Sequence, residues 1–309
     1  MARELTISTR VIGDNHAPYI IAEIGGNHGG SVQVACDMIK AAARAGADAA
    51  KFQVRGPTLY SQALLDKPYD NENSFGKTYG EHRAMLELNL NSLRLTQIQA
   101  EQSGIQWFAT AFDERSADRL FALNAPAIKL ASGALTDVAL QSHVAGLGIP
   151  IILSTGGGDA ADIDRAVQRI TRVHQRLALL HATAAYPLDA KDANLRCIGT
   201  LRERYPDLVI GYSSHSPGVV LPLIAVAFGA SILESHFTLN RASKGTDHAF
   251  SLEPKGLETL VDDARKVQSA LGDGVKRWLQ IEKAPISKMR RVLTDKGWQI
   301  TGELNEDRP

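Results

Sequence analysis

The amino-acid sequence predicts a (β/α)8 TIM barrel of the α/β class. Three observations carry this. Eight short apolar runs recur along the chain, stretches with helical spacing separate them, and a polar or ionisable residue stands at the same end of each run. Runs that are apolar on both faces are expected of parallel strands covered by helices. Repeated βα units require a parallel sheet, and eight of them favour a closed barrel over a doubly wound sheet.

The expected strands lie at 19–24, 49–54, 106–110, 127–131, 151–154, 177–182, 208–212 and 231–237, with cores such as IIAEI, IILST and LALLHAT. The stretch 31–45 has apolar residues at Val34, Met38, Ala41 and Ala45, with Ser31 as N-cap and Gly46 at the stop. Helical patterns follow at 95–103, closed by Gly104, and at 159–174, 217–229 and 257–271. The long polar segment 56–88 after the second strand breaks the rhythm. A loop of that length at the carboxyl end of a barrel strand is expected to form a lid or substrate wall, or else a solvated insertion. Residues 1–272 are expected to form the barrel. Residues 273–309, with Lys283-Ala284-Pro285 and a basic patch at 288–291, are expected to be a C-terminal extension or linker stub, too short for a core of their own.

Thirty-four Lys plus Arg balance 34 Asp plus Glu, so the net charge gives no support for binding nucleic acid or an anionic membrane. No run approaches the ~20 apolar residues of a membrane span, and the first residues lack a signal-peptide pattern. A cytoplasmic enzyme is the expectation. Cys36 and Cys197 show no metal-type spacing and are expected to be buried thiols in helices.

Active sites of such barrels lie at the carboxyl ends of the strands. Reading those ends in turn yields Glu23 with Asn27 and His28, Lys51 with Gln53, Thr110, Lys129 with Ser132, Ser154 with Thr155, His181 with Thr183 and Tyr186, Ser213 with Ser214 and His215, and Glu234 with His236. Buried polar groups are costly unless paired, and packing alone does not put them at one end of all eight strands. Lys51 and Lys129 could clamp a phosphate or carboxylate, form a Schiff base, or pair with Glu23 or Glu234. Ser132, Ser154, Thr155 and Ser213, beside a Gly-rich turn that opens a helix at Asp159, suit an anion cradle. His215 and His236 end adjacent strands and could share a divalent metal or form a hydrogen-bonded pair. The loop Gly245-Thr246-Asp247-His248 could add a ligand or touch substrate.

The sequence resembles the sialic acid synthase family. The matching segments are IAEIGGNHGG (21–30), AGADAAKFQ (45–53), IKLASG (128–133), PIILSTG (150–156), IGYSSH (210–215), ILESHF (232–237) and TDHAFSLEP (246–254). The resemblance implies that phosphoenolpyruvate condenses with the open-chain aldehyde of an N-acyl sugar, such as N-acetylmannosamine or a relative, releasing phosphate. It implies a divalent metal on His215 and His236, most often manganese, with magnesium or cobalt as substitutes. It implies phosphoenolpyruvate at Lys51, Lys129, Ser132, Ser154, Tyr186 and Ser213, acid–base roles for Glu23 and Glu234, and a homodimer. Gln53, Thr110, Thr155, Asn27 and Asp247 are read as further substrate contacts.

The sequence departs from the family pattern in four places. Ala134 stands where the family has Glu, and Ala184 where it has Asn. ATAF (109–112) replaces Ser-Thr-Pro-Phe, and Lys244-Gly245-Thr246 replaces Gly-Pro. Of the family's C-terminal antifreeze-like domain, residues 301–304 would be at most a remnant. A Schiff-base pyruvate aldolase and a non-catalytic binding barrel stand as the alternatives.

Overall fold

The structure, a computed structural model, describes residues 3–304. One compact unit runs to Ala270 and a second begins at Leu271. The first unit starts with a hairpin, β1 (Glu4–Ile7) and β2 (Arg10–Gly13), which the sequence patterning did not reveal. The barrel then runs β3 (Tyr19–Gly25), α1 (Val32–Arg44), β4 (Ala49–Val54), α2 (Gln62–Leu65), α3 (Tyr79–Leu86), α4 (Leu90–Gln102) and β5 (Gln106–Ala111). It continues with α5 (Glu114–Ala122), β6 (Ile128–Leu130), α6 (Val138–Gly146), β7 (Ile151–Ser154), α7 (Ala160–Thr171), β8 (Leu177–Ala182), α8 (Cys197–Arg204), β9 (Val209–Ser214), α9 (Val220–Ala227), β10 (Ile232–His236) and α10 (Pro254–Leu271). Strands β3 to β10 pair in parallel, each with the next, and β10 pairs back onto β3 to close the barrel.

All eight expected barrel strands are present. They are buried along nearly their whole length, which is why they read as continuous apolar runs rather than alternating ones. Helix α1 is capped as expected by the Ser31 hydroxyl, which accepts from Val34 N–H, and Gly46 beyond its end takes φ +82°. Helix α4 begins at Leu90 rather than 95, because Asn89 supplies its cap to Ser92 N–H. Helices α5 and α6 had no expectation, and α8 was expected only in that Cys197 was placed in a helix. The segment 56–88 is not a plain loop: it holds α2 and α3, and Thr78 and Glu81 form a reciprocal capping box on α3.

Hairpin β1–β2 buries Leu5, Ile7 and Ile12. It sits at the amino ends of the strands, where Gln106 Nε2 donates to Ile7 O at 3.2 Å. Asp14 locks it down by accepting from Arg3 at 2.8 Å and Arg202 at 2.7 Å. The carboxyl ends stay open on the opposite side. Cys36 and Cys197 lie in α1 and α8 but are only partly buried, contrary to expectation, because each sits at the border of its helix's core-facing stripe.

The second unit holds α11 (Lys283–Ser287) and a hairpin of β11 (Val292–Thr294) with β12 (Gly297–Gln299). Arg290 stacks on Trp278 within it, 4.7 Å from the ring centroid. Among the described residues, no helix is long and apolar enough to cross a membrane.

Candidate active site

Strand register assembles the polar residues. Glu23 is paired with Lys51 across β3–β4, Gln53 with Thr110 across β4–β5, and Thr110 with Lys129 across β5–β6. Ser213 is paired with Glu234 across β9–β10, and His236 with Glu23 where the barrel closes. Eight residues scattered over some two hundred positions thus become lateral neighbours on the inner face. All of them but Lys51 line a cavity of about 420 Å3 at the open end, large enough for a small substrate.

Lys51 Nζ lies 2.6 Å from Glu23 Oε2 and 3.6 Å from Glu234 Oε2, and donates to Thr110 Oγ1 at 2.9 Å. Burial alone would lower its pKa, but the two carboxylates outweigh it and raise the value. Lys129 has no carboxylate partner within ion-pair distance. It donates to Ser154 Oγ at 2.5 Å and Leu130 O at 3.1 Å. Burial therefore dominates and pulls its pKa to about 8, with Lys51 adding to the effect and Glu234 and Glu23 opposing it. Burial would raise the Glu234 carboxyl, but Lys129, Lys51 and His236, with a hydrogen bond from Ser213 Oγ, hold it at about 2.

His215 Nδ1 bonds Thr183 O at 2.7 Å, which makes Nδ1 the protonated nitrogen and leaves Nε2 as a lone-pair donor. Burial and the neighbouring His236 push its pKa to about 4, so the ring is neutral near pH 7. His236 lies 5.8 Å away, ring centre to ring centre, and its buried Nδ1 makes no hydrogen bond. Asp247 Oδ2 is 3.6 Å from that nitrogen, and Tyr186, half exposed, stacks on His215 at 4.0 Å. Among the described residues, no group of three His, Cys, Asp or Glu stands close enough to form a ready metal cage.

Of the residues read from the sequence, Glu23, Gln53, Thr110, Lys129, Ser132, Ser154, Tyr186, Ser213, His215, Glu234, His236 and Asp247 line this cavity. Lys51 lies just beneath it, held by its carboxylates. Thr155 and Asn27 do not line it. The Thr155 hydroxyl donates to Leu180 O at 3.2 Å, while Asn27 Nδ2 donates to Phe237 O and Ser251 Oγ. His181 is likewise spent on Ala193 O, at 2.8 Å.

The helix-start cradle at Asp159 takes a different form from the one expected. Asp159 and Asp162 cap α7 reciprocally, so the Asp159 carboxylate occupies the amino end of the helix. The preceding turn matters through Gly156 instead: its N–H donates to Ser132 Oγ at 3.2 Å, and a Cβ there would lie only 2.7 Å from that hydroxyl. Ala184 lines the cavity and Ala134 is buried outside it, so Glu23, Glu234 and Asp247 are its acidic groups. Thr246, from the loop expected to touch substrate, lines it too, as do Arg55, Arg83 and Phe112, which were not foreseen as site residues. Arg55 follows Gln53 by two, just beyond the end of β4, a spacing that could have marked it. Arg83, on the inserted α3, carries no periodic signal.

The pattern that defines the NeuB family matches residues 38–276, well over half of the chain. This chain belongs to the NeuB family. The N-acetylneuraminate-9-phosphate synthase of Mus musculus is 38% identical over 288 residues, covering 93% of this chain and 80% of that protein. The N,N'-diacetyllegionaminic acid synthase of Legionella pneumophila is 34% identical over 303 residues, covering 94% of this chain and 85% of that protein. The crystal structure of the N-acetylneuraminic acid (sialic acid) synthetase of Leptospira borgpetersenii, in complex with citrate, superposes with a TM-score of 0.81 at 33% identity. It covers 93% of this chain and 96% of that one. The NeuB chain is thus an enzyme of the sialic acid synthase type on a TIM barrel.

Proposed function

We propose that this NeuB enzyme condenses phosphoenolpyruvate with the aldehyde of an N-acyl sugar, releasing phosphate and a 2-keto acid, with help from a divalent metal. One observation carries the reading. A single cavity joins an anion-binding floor, built by Lys129 with Ser132, Ser154 and Ser213, to a wall of His215, His236 and Glu234. Membership of a family of synthases supports it.

Overall, phosphoenolpyruvate, an aldehyde and water give the chain-extended 2-keto acid and inorganic phosphate. A carbon–carbon bond forms between the enol methylene and the aldehyde carbon. The protein's service is mainly electrostatic. Protonated Lys129 and the serine hydroxyls bind the carboxylate and phosphate of phosphoenolpyruvate. Lys51 pairs with both Glu23 and Glu234 and fixes their orientation. Either carboxylate can then hold a proton released by water or deliver one to the new hydroxyl. Tyr186, Asp247 and Gln53 border the space left for the sugar.

The donor set suits manganese or a similar divalent ion. His215 has its lone pair on Nε2, His236 Nδ1 is buried without a partner, and Glu234 Oε2 makes no hydrogen bond. His215 and His236 would hold such an ion, and its chemistry would be to polarise the aldehyde oxygen as a Lewis acid.

The test is a phosphate-release screen with phosphoenolpyruvate, manganese and a panel of aldoses and N-acyl aldoses. Release that needs both metal and an N-acyl aldose is expected, and His215→Ala should abolish the metal-dependent rate. Silence with every aldehyde would overturn the reading. The cavity also offers Lys129, whose lowered pKa is what a Schiff-base lysine needs. A borohydride-trapped, pyruvate-dependent adduct would favour an aldolase instead.

A further inference from the structure

The buried carboxylate of Glu23 has few partners. Lys51 faces its Oε2 at 2.6 Å as a charge partner. Among the described residues, its one hydrogen bond comes from Gln53 Nε2, which donates to Oε1 at 2.7 Å. A glutamine amide has two ends of nearly the same shape. One end donates and the other accepts, so a neighbour must fix which of them meets the carboxylate.

Arg55 is that neighbour. It lies just beyond β4, and its guanidinium stacks on Phe112, 4.0 Å from the ring centroid. Its Nη2 donates to Gln53 Oε1 at 2.6 Å. A turned amide would set its carbonyl against the Glu23 carboxylate and its N–H groups against a guanidinium. Two repulsive contacts would then replace two charge-assisted hydrogen bonds. Arg55 is held in turn by Glu87, directly after α3. Glu87 Oε1 accepts from Arg55 Nη1 at 3.2 Å and from Arg83 at 2.9 Å. Glu87 Oε2 accepts from the Arg55 backbone N–H at 3.3 Å. Glu87 itself does not line the active-site cavity. Glu87, Arg55, Gln53 and Glu23 therefore form an unbroken polar chain from the inserted segment to the reacting end.

We infer that Arg55 and Glu87 are positioning residues for the Glu23 carboxylate, acting through the Gln53 amide. The acid–base role of Glu23 rests on the condensation proposed above; the lock on the amide does not. With Arg55 in place, both ends of the amide are tethered and Glu23 keeps a fixed donor. Without it the far end is loose, and the half-buried Gln53 can leave Glu23 for water.

Two experiments test it. In the first, kinetics with phosphoenolpyruvate, N-acetylmannosamine and manganese compare wild type, Arg55→Met, Gln53→Ala and the double variant. Arg55→Met should lower kcat by roughly tenfold and leave KM for phosphoenolpyruvate unchanged, because Lys129 and its serines are untouched. Arg55→Lys should recover part of the loss. Glu87→Gln, outside the cavity, should lower the same kcat by roughly threefold. In the Gln53→Ala background, Arg55→Met should cost nothing more, since the route is already cut. Losses that multiply would overturn the inference and mark Arg55 as acting on substrate or fold directly. A wild-type kcat in Glu87→Gln would remove Glu87 from the assignment.

The second experiment needs no turnover. Nitrogen-15 NMR of the ligand-free protein follows the side-chain N–H pair of Gln53, assigned by its loss in Gln53→Ala. Its exchange with solvent should be slow in wild type and roughly tenfold faster in Arg55→Met of unchanged melting temperature. Arg55→Lys should restore part of the protection. Unchanged exchange in Arg55→Met would overturn the inference even if the condensation holds. Faster exchange in a protein that condenses no aldehyde would retain the amide lock while removing the proposed reaction.

Discussion

Lys51 and Lys129 are both fully buried at strand ends, yet they hold their protons differently. Lys51 is pinned between two carboxylates and stays charged, whereas Lys129 faces hydroxyls and sits near pKa 8. In the proposed reaction only its charged form would attract phosphoenolpyruvate, so kcat/KM for that substrate should fall as pH rises past about 8. Lys129→Met should lower kcat/KM by roughly 100-fold or more and abolish that alkaline limb. A limb that survives the substitution would show that another group titrates. Stability moves the other way. The unfolded chain keeps this proton up to about pH 10.5, while the native protein has released it above about 8. The substrate-free protein therefore gains stability from this group as pH rises between those values. The residue types and their strand ends were legible in the sequence, because ionisable residues inside apolar runs stand out. Which lysine had a carboxylate was not, since that depends on register between strands far apart in the chain.

At the scale of elements, the strand-to-helix turns do most of the positioning. The turn after β7 brings Gly156 N–H onto Ser132 Oγ, while the Asp159–Asp162 box closes α7 behind it. Both carboxylates of the box face solvent rather than the cavity, so its role is structural. Asp159→Ala should cost about 1 kcal/mol, roughly 2 °C in Tm, and leave the KM for phosphoenolpyruvate unchanged. Thermal melts and steady-state kinetics check both halves; a raised KM would return the helix start to the anion site. Caps such as Ser31 are readable because one hydroxyl serves one nearby N–H. The insertion between β4 and α4 was harder to read. Its helices are short, and its packing rests on aromatic contacts, such as His82 on Tyr69 at 4.7 Å, which leave no period in the sequence. Arg83 arrives in the cavity with it, which is why that residue escaped notice.

For the molecule as a whole, closure of the barrel decides everything else. The eight strands could be read because each is buried on both faces and announces itself alone. Hairpin β1–β2 could not, because its four-residue strands bury only one side and gain their purpose from Arg202 and Gln106, far along the chain. A chain ending at residue 230 would lack β10 and leave β3 and β9 with bare edges. It should express as aggregate rather than as a folded, phosphoenolpyruvate-binding monomer. Gel filtration and a thermal-shift titration distinguish the outcomes, and a soluble, cooperative monomer would contradict the expectation.

The pairing of β10 with β3 also sets a timetable. Tyr19 leaves the ribosome early, but its partner Ile232 is made roughly two hundred residues later. At ordinary synthesis speeds that is a wait on the order of 10–40 s. Throughout it Glu23 has no His236 beside it, and the nascent first strand offers its edge to chaperones or to neighbouring chains. The active centre comes into being in the same event that ends this exposure. Phosphoenolpyruvate should therefore bind only chains that have closed, and its binding would draw newly made protein toward the finished ring.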